Sequence, residues 1–474
     1  MATHIGQMAT ELARSNPWWR TADWARIDID LQPVEDRALG YRSGCLEDIE
    51  PGGLYLLRGP RRVGKTVAIK QAIQVLIADG VPGTSIVRIA ADGWEAKELR
   101  TVAQNTALPR LPEGTIRYWF FDEITAVTGD WATQIKWLRD NDPAFRSATV
   151  VLTGSNAATL TAASGVLAGR RGQVSRRDKT LPPMGFRSFA RLLDPELPDA
   201  PPISLSGMRG RTARDGFNDL LPWIDNLADQ FETYLSHGGF PVAVAAAKDG
   251  DTVPPSFVDD IFNVVFKDAF INSQLSASKT AALLERIMAG ISAPISMNGI
   301  GDELDISHEL VRRHIGYLRD GYLIWACPQR AAELWLPREK AQDKIYAIDP
   351  IIARLAHLRN NHRRDIDVTA LAEMQIGTAV RRRALADGAA WEDDNSLFYA
   401  RTPTRKEIDF VAEVFAGVAL EGKYTESGRW AREAATVDAS AWRGVMVTRS
   451  VLDTASSDSA WAVPAGMLAY LLDT

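Results

Sequence analysis

The sequence is poor in cysteine and has no long apolar segment. Its only cysteines among 474 residues, Cys45 and Cys327, lie far apart, which excludes a disulfide framework and a cysteine-based zinc site. No apolar run reaches the ~18 residues of a transmembrane helix, so we expect no membrane partner. The N-terminus also lacks a basic stretch followed by an apolar one, which is the pattern of a secretory signal. Together these absences predict a protein of the reducing cytoplasm.

Positive charge is not in excess either. The 54 Lys and Arg are outnumbered by 60 Asp and Glu, and the net charge of −6 excludes a generally basic nucleic-acid binder but not a local basic patch. Hydrophobic residues make up 46% and charged residues 24%, which excludes disordered, collagen-like and fibrous chains. At roughly 100–200 residues per domain, the length predicts two to four domains.

The pattern of the chain changes along its length. From residue 54 to 193, short apolar runs alternate with helical patterns, which predicts a parallel α/β sheet. Residues 194–216 are rich in Pro, Gly and Ser, and we expect a linker or an exposed insertion there. The predicted parts are an N-terminal segment at 1–40, an α/β core at 41–193, the linker or insertion at 194–216, a helical lid-like segment at 217–278, a three-helix module at 279–345 and a mixed α/β domain at 346–474.

Residues 59–66, GPRRVGKT, fit the phosphate-loop pattern G-x-x-x-x-G-K-[ST] completely. A strand-like run precedes them and a helical pattern follows, which is the context that the motif requires. The glycines let backbone N–H groups turn toward a phosphate, and the helix N-terminus adds partial positive charge. We expect Lys65 to reach the β- and γ-phosphates and Thr66 to ligate Mg²⁺. The predicted nucleotide-binding residues are Gly59, Pro60, Arg61, Arg62, Val63, Gly64, Lys65, Thr66 and Val67.

A second apolar run, YWFF at 118–121, ends in Asp122 and Glu123. Alone this pattern is weak, because a strand that meets solvent looks the same. Its position roughly 55 residues after the phosphate loop strengthens it, since a βαβ unit places two such strands side by side. We expect Asp122 to hold Mg²⁺, through water or beside Thr66, and Glu123 to activate the attacking water as a general base.

Two further groups are candidates for the same site. The apolar run 149–152 leads to Ser155 and Asn156, which would contact the γ-phosphate or position the water, although a plain strand-to-loop turn explains them equally. Arg170 and Arg171 lie in a predicted exposed loop. An arginine delivered by a neighbouring subunit would neutralise charge in the transition state of phosphoryl transfer. Most exposed arginines are merely solvated, and that alternative stays open.

The order of these motifs resembles that of prokaryotic ATPases which join an AAA-type nucleotide domain to a C-terminal domain of unknown function with a restriction-endonuclease-like core. The matching segments span residues 40–425 and read GPRRVGKT, WFFDEI, VLTGSN, GRR followed by LPPMGFRSFARLL, YLSHGGFPVAV, KIYAIDP, EIDFV and LEGK. The resemblance implies an α/β P-loop fold of the AAA type, ATP binding and hydrolysis, and a winged helix in the middle of the chain. We also expect a homo-oligomer.

The middle module has the spacing of three short helices followed by two strand-like runs. Its third helix carries Arg312, Arg313, His314 and Arg319, and it would be the recognition helix of a helix-turn-helix with the strands as the wing. Acidic residues nearby dilute the positive charge. A winged helix that contacts protein, or only separates domains, is therefore the alternative to DNA binding.

The C-terminal part places Asp409, Glu421 and Lys423 in the spacing D-x(11)-E-x-K of restriction-type nucleases. Asp409 and Glu421 would bind Mg²⁺, Lys423 would position or activate water, and Glu373 would complete the acidic cluster. Gly422 stands where the family usually has an apolar residue. Two carboxylates at ligand distance repel each other, and either a metal or a lysine offsets this. A metal site and a self-neutralised carboxylate–lysine cluster are both open.

These observations predict a magnesium-dependent ATPase whose nucleotide state drives conformational change, acting on DNA or on a protein partner, with ATP and Mg²⁺ as its cofactors. Two alternatives remain. One is a slow, nucleotide-switched regulator that binds DNA or protein. The other is an ATP-gated, metal-dependent nuclease of the kind used in defence.

Overall fold

The computed structural model describes residues 2–36, 41–104, 108–155, 157–271, 275–360, 365–424, 430–431, 434, 437, 440 and 442–473. The chain divides into two compact units, Met1–Pro182 and Pro183–Thr474. Among the described residues, none of the helices combines the length and apolar character that a membrane span requires.

The first unit is built on a five-stranded sheet in the order β2-β3-β4-β1-β5, with every neighbouring pair parallel. Its strands are β1 (Leu54–Arg58), β2 (Ile86–Ala90), β3 (Tyr118–Asp122), β4 (Thr149–Thr153) and β5 (Asp178–Thr180). Its helices are α1 (Ala2–Ser15), α2 (Gln32–Asp36), α3 (Lys65–Ala78), α4 (Ala96–Ala103), α5 (Trp131–Asn141), α6 (Pro143–Ser147) and α7 (Ala157–Val166). Every residue of β1, β3 and β4 is buried, as expected for parallel strands covered on both faces. The predicted parallel α/β sheet is confirmed.

The N-terminal segment covers the edge strand β2. The Asn16 side chain accepts a hydrogen bond from Arg88 N and donates one to Arg88 O, at 2.6 and 2.9 Å. The indole N–H groups of Trp18 and Trp19 both donate to Ile86 O, at 3.1 and 2.7 Å. These side chains satisfy backbone groups that an edge strand otherwise leaves unpaired.

The second unit contains helices and two sheets. Its helices are α8 (Phe186–Leu193), α9 (Arg211–Asp219), α10 (Ile224–His237), α11 (Pro241–Asp249), α12 (Pro255–Ile271), α13 (Ala277–Ala289), α14 (Met297–Leu304), α15 (His308–Asp320), α16 (Pro350–Arg359), α17 (Val368–Ala386) and α18 (Ala465–Leu472). Strands β6 (Ile324–Cys327) and β7 (Lys344–Ala347) form an antiparallel pair. The larger sheet has the order β12-β11-β10-β9-β8 and consists of β8 (Phe398–Arg401), β9 (Glu407–Val411), β10 (Val418–Gly422), β11 (Arg443–Thr448) and β12 (Ala460–Pro464). In this sheet β8, β9 and β10 run antiparallel, whereas β10, β11 and β12 run parallel.

The second unit begins at Pro183. It therefore contains the end of the predicted α/β core, residues 183–193, and the whole predicted linker or insertion, residues 194–216. Phe186 of α8 makes edge-to-face contact with Phe231 of α10, at 5.2 Å between ring centroids. In the segment 194–216, Leu205 and Met208 are buried. An insertion that buries apolar side chains in this way is held in place rather than exposed.

Candidate functional site

The phosphate loop joins β1 to α3 through two glycines with positive φ. Gly59 has φ +150°, and a Cβ added there would lie 2.3 Å from Leu181 O. Gly64 has φ +98° and immediately precedes α3. Both conformations favour glycine, because a side chain would clash or strain the backbone. The loop therefore takes the curled form that the motif predicts.

Lys65 is the first residue of α3, and its side chain lies inside the loop. It is 6% exposed, and its Nζ donates to Gly59 O at 3.0 Å and to Pro60 O at 2.9 Å. Burial lowers the pKa of Lys65 to about 8, although Glu123 and Asp122 act in the opposite direction. The ammonium is thus held next to the backbone that would surround a phosphate.

Asp122 is the last residue of β3, and its carboxylate accepts hydrogen bonds from three side chains. Thr66 Oγ1 donates to Asp122 Oδ2 at 2.9 Å, and Thr153 Oγ1 donates to Asp122 Oδ1 at 3.0 Å. The guanidinium of Arg88 also donates to Oδ2, at 2.6 Å. The structure therefore brings Thr66 and Asp122 together, as the sequence predicts, and adds two partners that the analysis missed. Arg88 could have been noticed in the sequence, because it interrupts the apolar run IVRIA.

Glu123 follows Asp122 in a left-handed conformation, with φ 56°. Its carboxylate accepts hydrogen bonds from Thr125 Oγ1 at 2.8 Å, from Ser155 N at 2.9 Å and from Ser155 Oγ at 2.8 Å. Ser155 therefore lies at the same edge of the sheet and holds the orientation of Glu123. Asn156 lies outside the described residues.

A third carboxylate, Asp92, borders this edge and was also missed. It follows β2, where Ala91 N donates to Asp122 O at 2.8 Å. Partial burial raises the pKa of Asp92, and the charges of Glu123 and Asp122 add to the effect. The end of the sheet thus carries a concentration of negative charge that favours a cation.

The two predicted finger arginines have different surroundings. Arg171 is 5% exposed, so the prediction of an exposed loop is wrong for it. Its guanidinium donates to Leu54 O at 3.2 Å and to Asp178 Oδ2 at 2.8 Å, which satisfies groups at the β1–β5 side of the sheet. Arg170 pairs with Asp140 at 2.8 Å, and 33% of its side chain is exposed. A side chain held inside its own unit cannot enter a neighbour's site, whereas Arg170 keeps an accessible part.

In the second unit, α13, α14 and α15 precede the antiparallel pair β6–β7, in the order that the sequence predicts. Arg312, Arg313 and Arg319 of α15 are exposed. His314 is fully buried, and its Nδ1 lies 2.8 Å from Leu310 O. Burial lowers the pKa of His314, so it adds no positive charge to an outer face. Its assignment to a recognition surface is wrong, because it lies on the buried side of the helix.

The four predicted nuclease-type residues are brought together. Asp409 N donates to Glu421 Oε2 at 3.1 Å, Gly422 N donates to Asp409 Oδ2 at 2.8 Å, and Lys423 Nζ lies 3.1 Å from Glu421 Oε1. Burial raises the pKa of Glu421 to about 8 and that of Glu373 to about 7, and the charge of Asp409 contributes to both shifts.

The same cluster contains Lys344, which the sequence analysis did not include. Lys344 Nζ lies 3.1 Å from Glu373 Oε1, 2.8 Å from Glu407 Oε1 and 3.0 Å from Asp409 Oδ1. Burial by itself would lower the pKa of Lys344, but the three carboxylates overcome it and raise the pKa well above the usual range. In the part of the chain that the structure describes, no group of three or more His, Cys, Asp or Glu side chains is arranged to hold a metal ion.

Family comparison covers parts of both units. Residues 52–190 match the family model of the AAA domain. The fold of this region matches an AAA-type P-loop domain. Residues 228–363 match a domain of unknown function, DUF8612, which ends before the five-stranded sheet that begins at Phe398. Neither match supports the predicted restriction-endonuclease-like core. No curated protein matches the chain.

Several solved structures are similar to the chain at low identity. A Walker-type ATPase of Pyrococcus abyssi has 14% identity and a TM-score of 0.38, over 69% of this chain and 95% of the other. The ORC1 protein of Aeropyrum pernix, solved in complex with DNA, has 13% identity and a TM-score of 0.28, over 76% and 96%. A RuvB variant of Thermotoga maritima has 12% identity and a TM-score of 0.25, over 66% and 94%.

Proposed function

We propose that the first unit binds ATP together with Mg²⁺ and hydrolyses it. The observation that carries the proposal is the meeting of four predicted residues at one edge of the sheet. Lys65 lies inside the phosphate loop, Thr66 donates to Asp122, and Glu123 follows Asp122 with its carboxylate held by Ser155. This arrangement supplies a phosphate-binding cation, oxygen ligands and a general base within one AAA domain.

Thr66 and Asp122 supply oxygen donors that fit a magnesium ion, which would compete with Arg88 for Asp122 Oδ2. The Thr66 hydroxyl and the Asp122 carboxylate are oxygen donors 2.9 Å apart, and Mg²⁺ prefers hard oxygen ligands. These two residues would hold the ion, directly or through water. When bound, Mg²⁺ neutralises charge that develops on the phosphate oxygens.

The chain's own residues have separable roles in this proposal. Lys65 contacts phosphate both before and during the reaction, so its removal affects binding. Glu123 accepts a proton from the attacking water, so it matters chiefly for the chemical step. Ser155 and Thr125 orient the Glu123 carboxylate through hydrogen bonds of 2.8 to 2.9 Å. Arg170 is retained as the candidate arginine finger of a homo-oligomer.

A nucleotide-binding assay separates these roles. Lys65→Ala should lose ATP binding, whereas Glu123→Gln should bind ATP and retain it unhydrolysed. Lys97→Ala and Glu113→Gln are matched controls, since both residues are exposed and belong to the same unit. Equal ATP affinity of wild type and Lys65→Ala would contradict the assignment of the loop.

A nucleotide-switched regulator that binds DNA is the second candidate. The exposed Arg312, Arg313 and Arg319 favour it, because the opposite side of α15 is buried. If these arginines contact phosphates, replacing all three by Ala should weaken DNA binding and flatten its salt dependence by about one unit of slope per lost contact.

Three exposed arginines outside α15 supply the control for that experiment. Replacing Arg26 and Arg110 of the first unit and Arg211 of α9 changes the net charge equally but leaves α15 intact. Equal loss of affinity in both triple variants would show that net charge alone governs binding. An unchanged salt slope in the α15 variant would leave the module as a protein-contact element.

A further inference from the structure

The C-terminal cluster is organised around a buried ammonium. Lys344 is fully buried, and its Nζ is within 3.1 Å of carboxylate oxygens from Glu373, Glu407 and Asp409. Glu373 belongs to α17 and the other two to β9. One ammonium group is thus placed among three carboxyl groups from two elements.

The oxygens that a nuclease would give to a metal have protein partners. Asp409 uses Oδ1 for Lys344 and Oδ2 for Gly422 N. Glu421 uses Oε1 for Lys423 and Oε2 for Asp409 N. A divalent ion would need these oxygens at about 2.0–2.6 Å. It would therefore have to approach oxygens that already lie 3.0–3.1 Å from the ammonium groups of Lys344 and Lys423, and like charges at such distances repel strongly when buried.

We propose that Lys344 is the resident cation of this cluster, that it excludes a divalent metal, and that the C-terminal domain does not cleave nucleic acid. The residues at the restriction-type positions thus do not fit the metal that such a nuclease requires. Of the two arrangements left open by the sequence, the geometry points to the self-neutralised one. Its central lysine is Lys344, whereas Lys423 pairs with Glu421 at the side.

The ion pairs of Lys344 hold separate elements of the second unit together. Lys344 belongs to β7, so its ion pairs connect the β6–β7 hairpin to α17 and to the five-stranded sheet. Tyr346, on the same strand, donates to Glu373 Oε1 at 2.6 Å. The hairpin that would be the wing of a winged helix is therefore tied to the C-terminal domain. This inference does not depend on the ATPase activity of the first unit.

Calorimetric titration with Mn²⁺, in the absence of nucleotide, tests the proposal on the full chain. All proteins carry Asp122→Asn, so that the first unit does not contribute heat. The otherwise wild-type chain should show no Mn²⁺ binding. Lys344→Met leaves the carboxylates without their cation and should create measurable Mn²⁺ binding, with a Kd at least about tenfold below the weakest binding that the titration detects. Adding Asp409→Asn to Lys344→Met should abolish the gain.

The same proteins are assayed for cleavage of plasmid and single-stranded DNA in Mn²⁺, and the chain with native Lys344 should cleave neither. Mn²⁺ binding by that chain, if lost on Asp409→Asn, would overturn the proposal, as would cleavage that depends on Asp409. A folded Lys344→Met protein that binds no Mn²⁺ would also overturn it, since Lys344 would then not be what excludes the metal. If Lys344→Met does not fold, the proposal is tested by Mn²⁺ binding and DNA cleavage in the chain with native Lys344 and in its Asp409→Asn variant.

Discussion

Replacing Arg88 by Met should destabilise the first unit and strengthen its binding of magnesium. Arg88 Nη2 lies 2.6 Å from Asp122 Oδ2, and the two side chains are only 11% and 7% exposed. At an effective dielectric constant of about 20, unit charges at 2.6 Å attract by about 6 kcal/mol before desolvation is counted. Removing one partner of a buried pair typically costs about 3–5 kcal/mol.

The lower end of this range applies, because the hydroxyls of Thr66 and Thr153 still donate to Asp122 in the variant. We therefore expect the free energy of unfolding to fall by about 3 kcal/mol without nucleotide. Magnesium would restore the missing positive charge. The guanidinium and Thr66 share Asp122 Oδ2, so Arg88 competes with a metal for that oxygen, and Mg²⁺ affinity should rise by up to roughly 100-fold.

Urea unfolding followed by tryptophan fluorescence, with and without MgADP, measures both effects. Arg88→Lys keeps the charge and should behave more like wild type. Arg117→Met is the matched control, since Arg117 is also partly buried in the first unit but donates to the backbone oxygens of Thr84 and Pro109. If MgADP stabilised Arg88→Met and wild type equally, Arg88 would not compete with the metal, and the reasoning would be refuted.

Two further predictions concern stability. Burial raises the pKa of Asp349 to about 6, so protonation favours the folded state, and this contribution is complete below the unfolded pKa and lost as pH rises through about 6. The stability of wild type relative to Asp349→Asn should therefore fall by about 2 kcal/mol between pH 4 and pH 7, and a constant difference in urea titrations would contradict this. Arg171→Met removes a buried guanidinium that donates to Leu54 O and pairs with the exposed Asp178, and it should cost about 1–3 kcal/mol, while ATP turnover per folded molecule stays unchanged. A loss of turnover without a loss of stability would instead favour the finger role.

The phosphate loop and the end of β3 could be predicted because each is a short, contiguous motif with a required context. Glycines 59 and 64 have the positive φ values that the pattern implies, and Asp122 lies at the end of a fully buried strand. The partners of these motifs come from distant parts of the chain. Arg88 and Thr153 reach Asp122 only because β2, β3 and β4 are neighbours in the sheet. A single sequence does not specify such side-chain pairs.

The central lysine of the C-terminal cluster also could not be predicted from the sequence pattern. Asp409, Glu421 and Lys423 have a recognisable spacing, but Lys344 precedes Asp409 by 65 residues and enters through a different strand. The burial of His314, in contrast, could have been predicted from its spacing in the sequence. His314 lies three residues after Val311 and next to Ile315, both buried, and helical geometry places it on their side.

Steady-state hydrolysis of ATP by wild type and Glu123→Gln, with and without Mg²⁺, tests the central claim most directly. The wild type should release phosphate over many turnovers only when Mg²⁺ is present. Glu123→Gln should be slower by about 10²–10⁴-fold while its ATP affinity is retained, because Glu123 acts in the chemical step. Hydrolysis by Glu123→Gln at the wild-type rate, or no release of phosphate by wild type in Mg²⁺ with or without DNA, would contradict the account.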